Sequence, residues 1–157
     1  MRPQSNIYEA GAADIRALFQ DHVDGDSSRI ALALSATSLD GAARQAIEKS
    51  LEAFGYGADS CSFAVLDPRG KDDGEGAELD PQSVFLLVEA LDPALVVITD
   101  EKTGRVVAQA YRAAFDLDAP ARVFGRPTCV FRDLTALLTT DNGKQTAWKV
   151  LKSFPKR

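Results

Sequence analysis

The sequence predicts an α/β domain: a three-layer αβα sandwich around a central, mainly parallel sheet of four strands. Short apolar runs of strand length alternate along the chain with segments whose apolar residues recur at helical spacing. The 157 residues are 45% hydrophobic and 26% charged, which is ordinary for a globular chain. We therefore expect residues 1–157 to form a single domain with one sheet.

Four apolar runs are typical of strands that are covered on both faces. They lie at residues 30–36, 61–66, 94–99 and 128–131, and residues 122–124 precede the last of them in the same β region. Helical segments between the runs imply right-handed crossovers between parallel strands. Placing the first crossover on one side of the sheet and the second on the other gives the strand order 2-1-3-4.

The helices are predicted from apolar residues at steps of three and four. They cover residues 7–23, 39–54, 81–91, 101–115, 134–138 and 144–154. Phe19 and Val23 lie on the apolar face of the first helix, and Asp80-Pro81 is a typical start for the third. In the last helix, Trp148 is expected to be a core anchor beside Ala147.

Residues 68–79 are rich in glycine and acidic side chains and are predicted to form a flexible, exposed loop. The spacing of its carboxylates does not match a calcium-binding loop, so no metal is expected there. Two cysteines and one histidine are also too few for a Cys₄ or Cys₂His₂ zinc site or a four-cysteine iron–sulfur cluster. The sequence thus indicates no cofactor.

Partners and location are constrained by charge and by the apolar pattern. Cys61 and Cys129 lie within strand-like runs, which favours buried free thiols and a cytoplasmic protein. No apolar run approaches the ~20 residues of a membrane span, and the first residues do not form a secretion signal. The net charge of −5 argues against strong non-specific binding to nucleic acid, although basic residues collect after residue 143.

The default ligand site of such a sheet lies beyond the carboxyl ends of its strands. The polar residues at those positions are Ser35, Thr37, Ser38, Asp67, Arg69, Asp100, Thr103, Arg132 and Asp133. Together they can hold a phosphate or another small anionic ligand. Ser, Thr and Asp at these positions are equally the ordinary N-caps of the helices that follow. No GxGxxG, GxxxxGK[ST] or GxSxG pattern is present to decide between the two interpretations.

Three segments resemble the uracil-DNA glycosylase superfamily, particularly its iron–sulfur branch. GAARQAIEKSLEAFGYG from residue 41 is similar to that family's helix with a terminal glycine turn, and ALDPALVVITDEKTGRVVAQAY from residue 90 to its helix, Leu-x-Pro, strand and Ala-Gln-Ala helix. PTCVFRDLTALL from residue 127, followed by KQTAWKVLKSF, resembles its strand, active-site loop and closing helix. The resemblance covers about two thirds of the chain and implies a glycosylase-like fold.

The functional motifs of that family are missing. The segment ALSATSLDGA is too short for the family's Gly-rich loop, Arg132-Asp133-Leu134 replaces its His-Pro-Ser loop, and the cluster cysteines are absent. We therefore expect a binding or interaction module without glycosylase activity, and no catalytic residue is assigned. The alternative is an enzyme for a small phosphate-bearing substrate, with Asp100 or Asp133 as acid/base and Arg69 or Arg132 holding the anion.

Overall fold

A computed structural model describes residues 19–24, 29–68 and 78–157. Its strands are β1 (Val23–Asp24), β2 (Ala31–Ser35), β3 (Cys61–Val65), β4 (Leu95–Ile98), β5 (Ala119–Val123) and β6 (Arg126–Val130). Its helices are α1 (Gly41–Ala53), α2 (Pro81–Leu91), α3 (Glu101–Tyr111), α4 (Leu134–Leu137) and α5 (Asp141–Leu151). The protein is thus a mixed α/β structure, as the sequence predicts.

The six strands form one mainly parallel sheet in the order β1-β3-β2-β4-β6-β5. Strands β3, β2, β4 and β6 are mutually parallel neighbours, whereas β1 and β5 pair antiparallel at the two edges. The predicted four-stranded sheet is therefore too small, and the order 2-1-3-4 omits both edge strands. Pro120 lies in β5, consistent with the preference of proline for an edge strand.

Both faces of the sheet are covered by helices because the inner strands are apolar on both sides. Ala31 and Ala33 of β2 belong to a core with residues of α1, α4 and α5. Leu32 and Leu34 belong to a second core with residues of α2 and α3. Successive side chains of a strand point to opposite faces, so a continuous apolar run supplies both cores.

The winding of the sheet reverses between β2 and β4. Helix α1 connects β2 to β3 on one face, and α2 and α3 connect β3, β4 and the β5–β6 hairpin on the other. Strands β2 and β4 are adjacent and parallel, with Leu34 opposite Ile98. Their connections leave in opposite directions, which creates a crevice at the carboxyl ends of these strands.

Several finer predictions are corrected. Val23 does not end a helix but lies in β1, opposite Ala64 of β3, because its backbone completes the sheet edge. Residues 7–18 of the predicted first helix, and residues 69–77 of the predicted acidic loop, lie outside the described residues. Trp148 is not a core anchor, since it is 45% exposed. The segment of residues 81–91 is apolar nearly all round, which predicts deep burial, but Leu86 is exposed, so α2 buries one face and not its whole circumference.

The two cysteines lie in strands β3 and β6, as the sequence predicts. Cys61 and Cys129 are buried and free. Burial raises the pKa of each thiol to about 12, so both are protonated at neutral pH. Among the described residues, no helix is long and apolar enough to cross a membrane.

Candidate functional site

A cleft of about 480 Å³ lies at the carboxyl ends of β2, β4 and β6. The loop after β2, the first turns of α3 and the loop before α4 form its walls. Its polar lining residues are Ser35, Thr37, Ser38, Thr99, Asp100, Glu101, Lys102, Arg105, Arg132, Asp133 and Thr135. The cleft coincides with the crevice where the winding of the sheet reverses, which is the expected ligand position of such folds.

Asp100 connects two walls of the cleft through both oxygens of its carboxylate. Oδ1 accepts a hydrogen bond of 2.8 Å from the backbone N–H of Thr103 and so caps α3. Oδ2 accepts a hydrogen bond of 2.8 Å from the backbone N–H of Ala36, in the loop after β2. The Thr99 hydroxyl donates a further bond of 3.3 Å to Oδ2. This carboxylate is therefore engaged in holding the loops together.

Asp133 also caps the helix that follows it. Its Oδ1 accepts a hydrogen bond of 3.1 Å from the N–H of Ala136, at the start of the four-residue helix α4. The backbones of residues 99–101 and 132–134 are joined by two hydrogen bonds of 2.9 Å, from Glu101 N to Arg132 O and from Leu134 N to Thr99 O. This short bridge places Arg132 beside Asp100 at the cleft wall.

Three basic side chains line the cleft, and they differ in how strongly they are already paired. The Lys102 ammonium lies 2.6 Å from the Glu78 carboxylate, which raises the pKa of Lys102, with smaller contributions from Asp67 and Asp100. Arg105 faces Glu101 at 3.5 Å on exposed surface, a weak pair. The Arg132 guanidinium makes no hydrogen bond or ion pair within the described ranges; the bonds of this residue come from its backbone, whose N–H donates to Asp118 Oδ1 and whose carbonyl accepts from Glu101 N.

The structure brings most of the predicted site residues together. Thr37, Ser38, Asp100, Arg132 and Asp133 line the cleft, as does Ser35.

Three other predicted residues are not among the lining residues. Thr103 is fully buried at the start of α3, and Asp67 follows β3, where its backbone N–H bonds to Ala36 O at 3.0 Å. Arg69 lies outside the described residues.

Lys102, Arg105 and Thr135 are lining residues that the sequence analysis did not select. Lys102 and Arg105 are separated by three positions, and the first of them lies two residues after the strand-end Asp100. Residues three apart share a helix face, and the first turn of a helix faces the strand ends of a parallel sheet. A search for basic residues in the first two turns after each strand would have found both.

The described part of the chain contains no group of three or more His, Cys, Asp or Glu side chains that could hold a metal ion. The cleft carboxylates Asp100 and Asp133 accept hydrogen bonds from backbone N–H groups. The remaining lining residues supply hydroxyl, ammonium and guanidinium donors, together with the Glu101 carboxylate that faces Arg105. The ammonium and guanidinium groups suit an anion.

No protein-family model matches the chain, and no curated protein is significantly similar to it. The chemistry of the cleft is therefore inferred from its geometry.

Proposed function

We propose that this protein is a cytoplasmic binding module whose strand-end cleft holds a small anionic ligand, on a glycosylase-like scaffold that lacks glycosylase activity. The observation that carries the proposal is the contrast between the acidic and basic groups of the cleft. The carboxylates of Asp100 and Asp133 act as helix caps, whereas the Arg132 guanidinium is unengaged within the described residues.

Binding is favoured over acid/base catalysis for a geometric reason. A general acid or base must be within hydrogen-bonding reach of the proton that it transfers, and it must be able to exchange that proton. Asp100 accepts two backbone hydrogen bonds that connect the end of β2 to the start of α3, so protonating it would weaken the cleft wall. The alternative of an enzyme for a phosphate-bearing substrate thus loses Asp100 as a free acid/base group and keeps Asp133, whose carboxylate accepts one hydrogen bond.

An arginine supplies the strongest part of such a site. Its planar guanidinium can donate two parallel hydrogen bonds to a phosphate or carboxylate. Thr37, Ser38 and Thr135 add hydroxyl groups on the same cleft. A phosphate monoester fits this set of donors, since each of its terminal oxygens can accept several bonds.

The glycosylase-like scaffold is supported by the order of the elements in the three similar segments. Helix α1 is followed by Gly55, and α2 ends in Leu91-Asp92-Pro93, after which come the buried strand β4 and α3. Strand β6 is followed by the loop of Arg132 and then by α4 and α5. The cytoplasmic location is supported by the two buried free thiols, which are typical of reducing compartments.

The anion site is tested by thermal shift and calorimetry with inorganic phosphate, AMP, ribose 5-phosphate and citrate. We expect at least one of these to raise the melting temperature, because a ligand that binds only the folded state stabilises it. Arg132→Gln should weaken that binding by about tenfold or more, since a charge-assisted bond contributes roughly 1.5–3 kcal/mol. Arg112→Gln, at the other end of α3, is the matched control and should bind like the unaltered protein.

Three results would contradict this assignment. The first is no stabilisation by any of the four anions, and the second is an equal affinity of the Arg132→Gln and Arg112→Gln variants. The third is turnover of a bound phosphate ester, measured as released phosphate, which would favour the enzyme instead.

We also expect no uracil excision from a uracil-containing duplex or a single-stranded oligonucleotide. An enzyme that removes a base must hold the extruded base in a fitted pocket. Here only five residues separate β2 from α1, and the resemblance aligns Arg132-Asp133-Leu134 with the second loop of that family. Abasic sites are measured by alkaline cleavage beside an active uracil-DNA glycosylase. Protein-dependent cleavage that Arg132→Ala or Asp133→Ala abolishes would show that these loops are catalytic.

A further inference from the structure

Trp148, the single tryptophan of the chain, is 45% exposed on the outer surface of α5. Its ring packs against Phe54 at a centroid distance of 5.2 Å with a tilt of 32°. One side of the indole is thus supported by the core, and much of the rest faces solvent. A supported, exposed tryptophan is typical of a residue that anchors a binding partner.

The indole forms part of a groove of about 250 Å³ between α1, α5 and the end of α4. Its lining residues are Ala46, Lys49, Ser50, Leu138, Lys144, Ala147, Trp148 and Leu151. Small side chains on both helices keep the floor of the groove open. The volume is below the roughly 300–1,000 Å³ of sites that enclose a small-molecule ligand, and it suits a single large apolar side chain.

All charged side chains in the lining of this groove are basic. Lys49 extends from α1 and Lys144 from α5, and both residues are exposed. The acidic residues of these helices, Glu48, Glu52 and Asp141, are not lining residues. An apolar groove with a basic rim complements a segment that carries an apolar side chain between acidic ones.

We propose that this groove binds an acidic peptide segment of a partner protein. One large apolar side chain of the segment inserts against Trp148, and flanking carboxylates contact Lys49 and Lys144. None of these residues lines the strand-end cleft, so the proposal is independent of the proposed anion site.

A peptide fits the observations better than single-stranded nucleic acid. Nucleic-acid sites present aromatic rings as open platforms for stacking, whereas one side of this indole is packed on Phe54 and the groove floor is aliphatic.

The unaltered protein is titrated with three synthetic peptides while the emission of Trp148 is recorded. Because no other tryptophan is present, the signal reports directly on the groove. The acidic probe DEEDFLEDEE should shift the emission to shorter wavelength and saturate. The probe DEEDGGEDEE lacks the apolar anchor, and KRRKFLKRRK reverses the charge; neither should produce a saturating shift. Oligo(dT) of twenty nucleotides serves as the nucleic-acid competitor.

Charge reversal of the rim tests the assignment of the lysines. The double variant Lys49→Glu/Lys144→Glu should bind DEEDFLEDEE about tenfold more weakly. The matched control Lys149→Glu/Lys156→Glu alters the net charge equally at exposed residues outside the groove lining and should bind within about threefold of the unaltered protein. Melting temperatures of both double variants verify that they are folded.

The proposal is overturned if DEEDFLEDEE leaves the emission of Trp148 unchanged at millimolar concentration. It is equally overturned if DEEDGGEDEE or KRRKFLKRRK binds as well, if the two double variants weaken binding to the same extent, or if oligo(dT) binds the groove in preference to the acidic peptide.

Discussion

Gly143→Ala is expected to lower the free energy of unfolding by about 3 kcal/mol, the upper part of the range for overpacked sites. A Cβ atom at residue 143 would lie 1.9 Å from the carbonyl oxygen of Leu137 and 2.7 Å from its carbonyl carbon. These are backbone atoms of α4, so no side-chain rotation relieves the contact. Helices α4 and α5 would have to separate.

The sign of this effect distinguishes packing from helix propensity. In a helix, alanine is normally more stable than glycine by roughly 0.5–1 kcal/mol. Gly104→Ala, inside α3, is the matched control: its Cβ would lie 3.8 Å from Ile98 Cγ2 and Val130 Cγ1, an ordinary contact distance. We expect Gly104→Ala to be neutral or stabilising.

Urea denaturation of the two variants measures both changes. For a chain of this size, about 3 kcal/mol corresponds to a decrease in melting temperature of roughly 6–12 °C. Equal stability of the Gly143→Ala and Gly104→Ala variants would contradict the close contact between α5 and the end of α4.

Asp100→Ala is expected to cost about 2–3 kcal/mol of stability. The substitution removes the acceptor for the N–H groups of Thr103 and Ala36, each of which bonds to the carboxylate at 2.8 Å. Loss of an N-cap costs about 1 kcal/mol, and loss of the second bond leaves another partly buried donor without its acceptor. The loop after β2 should also lose its fixed position at the cleft.

Asp133→Ala is the matched control for this prediction. Asp133 is exposed and accepts one hydrogen bond, of 3.1 Å, at the start of a four-residue helix. Its removal should cost about 1 kcal/mol or less. Asp100→Asn should lie between the two alanine variants, because its amide oxygen can still cap α3 while its NH₂ group cannot accept from Ala36. An Asp100→Ala variant as stable as Asp133→Ala would contradict the bridging role of Asp100.

The ionic contacts of Arg126 are a feature that the sequence analysis did not anticipate. Its guanidinium donates to Glu89 at 2.7 Å, to Asp92 at 2.8 Å and to the carbonyl of Pro93 at 2.9 Å. Tyr111 donates to the same Glu89 oxygen at 2.7 Å. The group joins α2, α3 and the β5–β6 hairpin, which are far apart in the sequence, so no local pattern indicates it.

The sequence by itself determined the elements whose signals are local. The run CSFAV is long enough and apolar enough to be a buried strand wherever it packs, and β3 is observed at Cys61–Val65. Helix α2 begins at Pro81 as predicted because the Asp80 side chain and the proline ring act within one turn, with the carboxylate accepting from Ser83 N at 2.8 Å. Strand-end positions followed from the alternation of these elements, and six of the nine predicted site residues line the cleft.

Tertiary structure decided what depends on contacts between distant segments. Strand β1 consists of two residues and exists because β3 offers an unpaired edge, and β5 pairs with β6 although its own residues are half exposed. The exact rotation of α5 was also decided by packing: Ala147 is buried as predicted, but Val150 and not Trp148 is buried near it. The same holds for Asp100, which local sequence identifies as a cap but which also bonds to Ala36, 64 residues away. Strand pairing and helix rotation are selected by packing between segments that are distant in the sequence, and a local pattern of residues does not specify that packing.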